Sequence, residues 1–329
     1  MTAAEMTALV WTAPYEAVLA QRAMPVAGDG EAVVRVRATG VCGSDLHGFR
    51  GHSPLRVAPL VLGHEAVVED EHGALFVVNP LVGCGRCRMC DAGQPNLCPQ
   101  RGLLGLDRPG TFAEHVSVPR ANLLPLPAHV PLVLGALTEA LATPVAALAA
   151  AAPGPDAVVA VIGCGPIGLL ACHAARRWGA SLVAAYDLDE RRVAHAQRLA
   201  DVVGTSPAEL RGALDGASDG LGADLVIDAV GIEASWNAAL ELVRPGGTVA
   251  EVGLGAAIGE APVGHIVRQG IRWQGVYAYT PADFAAALEL IAGVPPELGW
   301  VETARLDDGP ALLAELARGA GPVKAVFEL

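Results

Sequence analysis

The chain has 329 residues, 52% of them hydrophobic, with a formal net charge of −13 and a single lysine, Lys324. That length suits two domains, the hydrophobic share suits buried cores rather than disorder, and the acidity speaks against a nucleic-acid partner. The lone lysine leaves no Gly-Lys pair for a Walker A loop, no Tyr-x3-Lys dyad because residue 320 is Ala, and no centrally placed Schiff-base amine.

Taken in order, the first part, to about residue 140, is β-rich and punctuated by Gly and Pro turns. Glu31–Arg37 alternates in part, as a half-buried strand does. The most apolar stretch, Val130 to Ala152, is interrupted by Glu139 and Pro144 and dominated by alanine, so no membrane span is expected. The opening residues carry no basic segment followed by an apolar run, so no secretory signal is expected either.

Beyond this the pattern changes. Val158–Ile162 predicts a buried parallel strand and Ile167–Trp178 a helix. Ser181–Asp187 predicts a strand and Asp189–Leu199 a helix with Asp189 as its N-cap. Asp224–Val230 and Thr248–Leu254 predict further strands around a helix at Ser235–Val243. Pro281–Ile291 is expected to be helical and Val323–Leu329 to be a closing strand. This alternation predicts an α/β fold with a doubly wound parallel sheet.

Three motifs carry chemistry. Cys84, Cys87, Cys90 and Cys98 lie within 15 residues, four thiolates for one tetrahedral zinc with no position left for substrate. Seven cysteines, an odd number and mostly clustered, suit zinc in a reducing cytoplasm better than a disulfide framework. Upstream, Cys42 stands beside Ser44, Asp45 and His47, and His64 is followed by Glu65. Taken alone, a cysteine of this kind is usually a small hydrophobe and such a histidine a satisfied core residue; their polar neighbours raise the case for ligands. Downstream, Gly163-x-Gly165-x-x-Gly168 follows a strand and opens a helix. Gly163 permits the turn, Gly165 admits a pyrophosphate, and Gly168 allows close packing of the helix. Asp187, 24 residues after Gly163, ends the next strand. Its carboxylate would accept hydrogen bonds from a ribose and repel a 2′-phosphate, which favours NAD over NADP.

Residues 40–47 (Gly-Val-Cys-Gly-Ser-Asp-Leu-His), Gly63-His64-Glu65, residues 79–87 (Asn-Pro-Leu-Val-Gly-Cys-Gly-Arg-Cys) and the glycine loop together resemble the zinc-dependent medium-chain alcohol and polyol dehydrogenases, in the sorbitol and threonine dehydrogenase-like branch. The order and spacing match over nearly the whole chain. The resemblance implies a β-rich GroES-like catalytic domain, 1–142 with 281–329, and a Rossmann dinucleotide-binding domain, 143–280. It implies two zincs per chain, one catalytic and one structural, and NAD. Cys42, His64, Glu65 and Glu139 match the catalytic zinc site, Glu65 as a ligand or just outside the shell and Glu139 as the third protein ligand. Asp45 matches the residue that orients the ligand histidine. Ser44 and His47 match the proton relay.

Thr143, Ile167, Val252, Gly253 and Leu254 match positions around the nicotinamide, and Arg192 one near the adenosine ribose. Pro166 and Val230 complete the cofactor-binding set. The resemblance implies a small-molecule alcohol or polyol substrate and a cytoplasmic homo-tetramer or homo-dimer. A zinc-independent quinone or enone reductase, or a non-enzymatic scaffold binding NAD and zinc, are the alternatives. The chain departs from sorbitol dehydrogenases in having Gly48 after the relay histidine, Tyr277-Ala278-Tyr279 without the usual arginine, and a short segment at Glu71–Leu75. His52, Arg50 and Arg56 are candidates for contact with a polar or acidic substrate, or are solvated loop residues.

Overall fold

Hydrophobic alternation in one part of the chain and continuous apolar runs in another build the two largest sheets. The computed structural model describes residues 4–294 and 298–329. The chain forms two compact units, Met1–Glu139 with Ala287–Leu329, and Ala140–Ala286.

In the first unit the strand Glu31–Gly40 is the organising element. Its even-numbered residues Ala32, Val34, Val36 and Ala38 are buried, and from Ala38 to Gly40 both faces are covered. It pairs antiparallel with Glu65–Glu69, His115–Pro119 and the closing strand Lys324–Glu328. Among the described residues this sheet has seven strands, with Leu75–Val78, Leu123–Pro125 and Val301–Arg305 as the others. In register, Gly40 faces Glu65 on one side and Val326 on the other. Leu9, Trp11, Phe49, Phe112 and Phe327 pack the adjoining core. The abbreviated segment at 71–75 is a tight turn between Glu65–Glu69 and Leu75–Val78. Asp70 closes it, its side chain accepting from the backbone N–H of His72 and Ala74.

The second unit holds a parallel sheet in the order Val202–Gly204, Leu182–Tyr186, Val158–Ile162, Ala223–Asp228, Val243–Glu251, Arg272–Gly275. The chain steps outward from Val158–Ile162 in one direction and then returns to its other side. That reversal beside the first strand is the switch point at which doubly wound sheets bind ligands. Every residue of Val158–Ile162 is buried, which explains its unbroken apolar run. The helix Pro166–Trp178 buries Gly168 through Ala175 and stops at Gly179, whose φ of 100° only glycine adopts easily.

Several elements differ from the sequence expectation. The helix at Asp189 is shorter, Glu190–Ala196, though Asp189 caps it as expected by accepting from the Arg191 N–H. Thr248–Leu254 is not strand to its end. Pairing stops at Glu251, because the N–H groups of Val252 and Gly253 both turn to the Asp228 carbonyl. Val230 likewise lies past its strand, Ala223–Asp228. The strands Val202–Gly204 and Arg272–Gly275 and the helices Pro207–Ala217 and Val263–Gln269 carry too short or too mixed a pattern to stand out. No helix is long and apolar enough to cross a membrane among the described residues; Thr138–Ala151 takes up much of the alanine-rich stretch.

Candidate metal and cofactor sites

Cys42 ends an extended segment and begins the short helix Gly43–Phe49. Asp45 closes that helix start by accepting the Cys42 N–H at 3.1 Å through Oδ2. The other Asp45 oxygen accepts from the Gly63 N–H at 3.1 Å and lies 3.4 Å from Nδ1 of His64. One fully buried carboxylate therefore ties the cysteine turn to the histidine turn. With Nδ1 facing Asp45, Nε2 is the His64 nitrogen left to ligate. Burial alone would lower the His64 pKa. Asp45 and the Cys42 thiol overcome it and hold the imidazole well above its ordinary value. Burial would raise Asp45, but His64, Arg56 and the Cys42 N–H keep it below the usual carboxylate range.

Cys42, His64 and Glu65 each present a ligand atom within 4.8 Å of the others. A soft sulfur, an imidazole and a carboxylate form a donor set that suits zinc. Glu65 is 1% exposed and is paired by Lys324, whose Nζ donates to Oε1 at 2.6 Å and to the Val41 carbonyl at 3.0 Å and also contacts Oε2. Sequence reasoning missed this role for the lone lysine. The signal was its position in the closing strand next to Glu31–Gly40, which becomes readable only with the register known. The pair crosses directly over Gly40, where a Cβ would sit 2.1 Å from a Glu65 oxygen and 3.2 Å from Lys324 Cε. Burial would lower the Lys324 pKa, but Glu65, Cys42 and Glu139 together raise it. Glu139 opens the helix Thr138–Ala151 and stands outside the Cys42–His64–Glu65 donor cluster while its charge is felt at Lys324.

Ser44 and His47 are exposed residues of the helix Gly43–Phe49. His47 is held below its ordinary pKa by partial desolvation of its ring, then by His52, Arg56 and Arg50. Its ring lies 5.5 Å from that of His52, edge to face. Arg50 and Arg56 are not free loop residues. Arg50 donates twice to the Ala317 carbonyl, at 3.0 and 2.7 Å. Arg56 is 7% exposed and donates from Nε to the Gly105 carbonyl at 2.8 Å. In the Tyr277-Ala278-Tyr279 segment, Tyr279 is buried against Phe284.

The four-cysteine loop brings its sulfurs together. Cys87 Sγ lies 3.6 Å from Cys90 and 3.7 Å from Cys98, and Cys84 lies 4.0 Å from Cys90. Zinc with four sulfurs at about 2.3 Å separates them by about 3.8 Å, so these free thiols fit that ion. Backbone N–H groups of Cys84 and Gln100 point at Cys98 and, against burial, bring its thiol down to about 6.

In the second unit, Gly163 has a φ of 89°, and a Cβ there would meet Val230 Cγ2 at 2.6 Å. Gly165 caps the helix Pro166–Trp178 and faces open space. Gly168 lies so close to the Gly163 carbonyl that a Cβ would be 1.7 Å from it. Asp187 accepts from the Cys164 N–H at 2.8 Å and the Asp189 N–H at 2.9 Å, with Arg192 3.7 Å away. The Gly255 N–H donates to the Val230 carbonyl, so the turn holding Val252, Gly253 and Leu254 is joined to Val230 and through it to Gly163. Ile167 lies in the first turn of the glycine-loop helix, and Thr143 on Thr138–Ala151. A glycine turn before a free helix start, with a carboxylate at the next strand end, fits a dinucleotide. Asp228 organises the neighbouring turn, accepting from Val230, Gly231 and Ser235. Next to it in register, Glu251 is pushed up to about 8 by burial and by the Asp228 charge.

Both units match families of known proteins. The alcohol dehydrogenase GroES-like domain matches residues 28–128, and the zinc-binding dehydrogenase family matches residues 166–293. L-galactonate-5-dehydrogenase of Escherichia coli is 35% identical over 300 residues, covering 87% of each chain. Acetophenone reductase of Geotrichum candidum in complex with NAD superimposes with a TM-score of 0.87 at 29% identity, covering 99% of this chain and 97% of that one. 2R,3R-butanediol dehydrogenase of Bacillus subtilis gives a TM-score of 0.87 at 26% identity, over 98% and 99% of the two chains. The chain belongs to the zinc-dependent medium-chain alcohol and polyol dehydrogenases. It is an α/β enzyme with a GroES-like and a Rossmann-type domain that oxidises an alcohol to a ketone, and its cofactors are zinc and NAD.

Proposed function

We propose that Cys42, His64 and one carboxylate hold the catalytic zinc, that Cys84, Cys87, Cys90 and Cys98 hold a structural one, and that the substrate is a polyhydroxylated secondary alcohol. The convergence of Cys42, His64 and Glu65, the first two tied together through the single carboxylate of Asp45, carries this reading. Three protein donors leave one coordination position for substrate, whereas the four-cysteine loop leaves none. Glu65 is the carboxylate among the donor atoms, and Glu139 is the alternative when Lys324 retains Glu65.

Zinc at the first site supplies a Lewis acid that lowers the pKa of an alcohol, and NAD supplies the hydride acceptor. Ser44 accepts the alcohol proton on one side of its hydroxyl and donates on the other. His47, depressed below its ordinary pKa, is neutral near pH 7 and so able to take up that proton. Gly163, Gly165, Pro166, Ile167 and Gly168 receive the pyrophosphate, and Asp187 takes the adenosine ribose with Arg192 at its edge. Thr143, Val230, Val252, Gly253 and Leu254 line the nicotinamide. Residues 1–142 with 281–329 form the catalytic domain and 143–280 the cofactor domain.

The likeness to an enzyme acting on L-galactonate favours sugar acids and open-chain polyols over simple alcohols. The proposed assembly is a homo-dimer or homo-tetramer, and the seven unpaired cysteines fit a reducing compartment such as the cytoplasm. NAD reduction across aldonates, pentitols, hexitols and 2,3-butanediol tests the substrate class. Turnover of aldonates or polyols at least tenfold above butanediol is expected; the reverse order would overturn the polyhydroxyl reading.

A further inference from the structure

Arg56 is a buried cation that the zinc and cofactor chemistry above does not use. Its guanidinium is anchored by Nε to the Gly105 carbonyl at 2.8 Å, which aims Nη2 at two residues of the helix Gly43–Phe49. Nη2 lies 3.4 Å from Ser44 Oγ and 3.7 Å from Asp45 Oδ1. The side chains of Arg56 and Asp45 are 4% and 0% exposed, so this is an interior contact and not a surface ion pair.

The helix makes room for it. Gly48 is buried in the last turn, and a Cβ there would sit 2.4 Å from Arg56 Cδ and 3.0 Å from its Nε. Glycine inside a helix is unfavourable relative to alanine by roughly 0.5–1 kcal/mol, so a buried helical glycine under a crossing side chain has a steric reason. Gly48 and Arg56 are therefore one device, the first admitting the second.

We infer that Arg56 is a positioning residue for both arms of the catalytic site, fixing the Ser44 hydroxyl and balancing the Asp45 charge, and that Gly48 is required for it to do so. A guanidinium only donates. Ser44 Oγ must accept from it, which leaves the hydroxyl one further acceptor site and its own hydrogen, the arrangement a proton-passing group needs. A ligating imidazole is neutral. His64 then does not offset the Asp45 charge, which among the described residues leaves the Arg56 guanidinium, 3.7 Å away, as the charged partner of that carboxylate. Losing it would leave a buried carboxylate less well balanced and the histidine less well oriented.

The inference rests on the zinc reading, and a cycle of Arg56→Ala, Gly48→Ala and the double variant separates the two. Three quantities are read on zinc-loaded enzyme: kcat and KM for the best alcohol at saturating NAD, and the rate at which the catalytic zinc passes to a chelator. Arg56→Ala is expected to lower kcat at least tenfold with KM changed less than threefold, and to speed zinc loss several-fold. Gly48→Ala, which displaces the side chain without removing its charge, is expected to do the same. The double variant is expected to be no worse than Arg56→Ala alone, because the added methyl then has nothing to displace. Arg56→Lys, which keeps the stem and the charge, is expected to recover part of both losses and guards against misfolding of the alanine variant. Additive losses in the double variant, or unchanged kcat and zinc loss in Arg56→Ala, would overturn the inference. Absence of turnover in the parent enzyme would sink the dehydrogenase reading instead, with zinc loss still reporting on Arg56.

Discussion

Replacing Lys324 by Met exposes how the site tolerates a buried carboxylate. Lys324 is 2% exposed and Glu65 1%, and the ammonium is the cation bonded to both Glu65 oxygens. Methionine preserves most of the stem, so little cavity forms over Gly40, and the change is close to removal of a charge. Breaking a buried ion pair from one side costs about 3–5 kcal/mol, because the partner is left charged and desolvated. The Val41 carbonyl also loses its donor, roughly another 1 kcal/mol. Lys324→Met is therefore expected to destabilise the unit holding Met1–Glu139 and Ala287–Leu329 by about 5 kcal/mol. Glu65→Gln with Lys324→Met carries no unpaired charge at this place and is expected to regain about half of that loss or more. Denaturant unfolding of the zinc-free protein, in which no metal draws on Glu65, followed by hydrogen exchange in the closing strand Lys324–Glu328, measures both. A Lys324→Met loss below about 1 kcal/mol, or a double variant no more stable than the single, would refute the reasoning.

Three further outcomes follow from other residues. Cys98→Ser is expected to remove one zinc per chain by elemental analysis and to lower the thermal midpoint while leaving the second metal in place; retention of both metals would contradict the four-sulfur assignment. Asp187→Ser removes the carboxylate that would repel a 2′-phosphate, and is expected to shift the NAD to NADP preference in kcat/KM by roughly 10–100-fold toward NADP; an unchanged ratio would locate the discrimination elsewhere. Glu251 is raised from 4.5 to about 8 by burial and Asp228, so between those values the folded chain keeps a proton that the unfolded chain has released. Stability should therefore fall as pH rises through that window and level off above it. Glu251→Gln should gain on the parent as pH rises toward about 8; parallel melting-temperature profiles for the two proteins would contradict this.

The strand Val158–Ile162 and the helix Pro281–Ile291 were legible to the residue, because a fully buried apolar run and a capped amphipathic run are local patterns. The glycine turn between that strand and the helix Pro166–Trp178 was legible for the same reason, since Gly163, Gly165 and Gly168 act through their own backbone. The short strand Val202–Gly204 and the edge strand Arg272–Gly275 were not, because three or four residues of mixed polarity acquire their pairing from neighbours. Thr248–Leu254 read as strand because its apolar pattern continues, but the Asp228 carbonyl takes the two N–H groups that would have extended the ladder. The candidate metal ligands stand out by type. What binds them together does not, since the Asp45 bonds to Cys42, Gly63 and His64 and the Lys324–Glu65 pair depend on residues up to 259 positions apart. Arg56 read as a loop residue open to substrate or solvent, and its burial beneath Gly48 appears only once the helix Gly43–Phe49 is placed against Gly105.

The most direct test of the account is zinc content beside NAD reduction for the parent and Cys42→Ala. About two zincs per chain in the parent, about one in the variant and a loss of turnover of the order of a thousandfold are expected, because the remaining four-sulfur site is closed to substrate. One zinc in the parent, or a Cys42→Ala variant with unchanged metal and unchanged turnover, would contradict the assignment of Cys42, His64 and Glu65 as the catalytic centre.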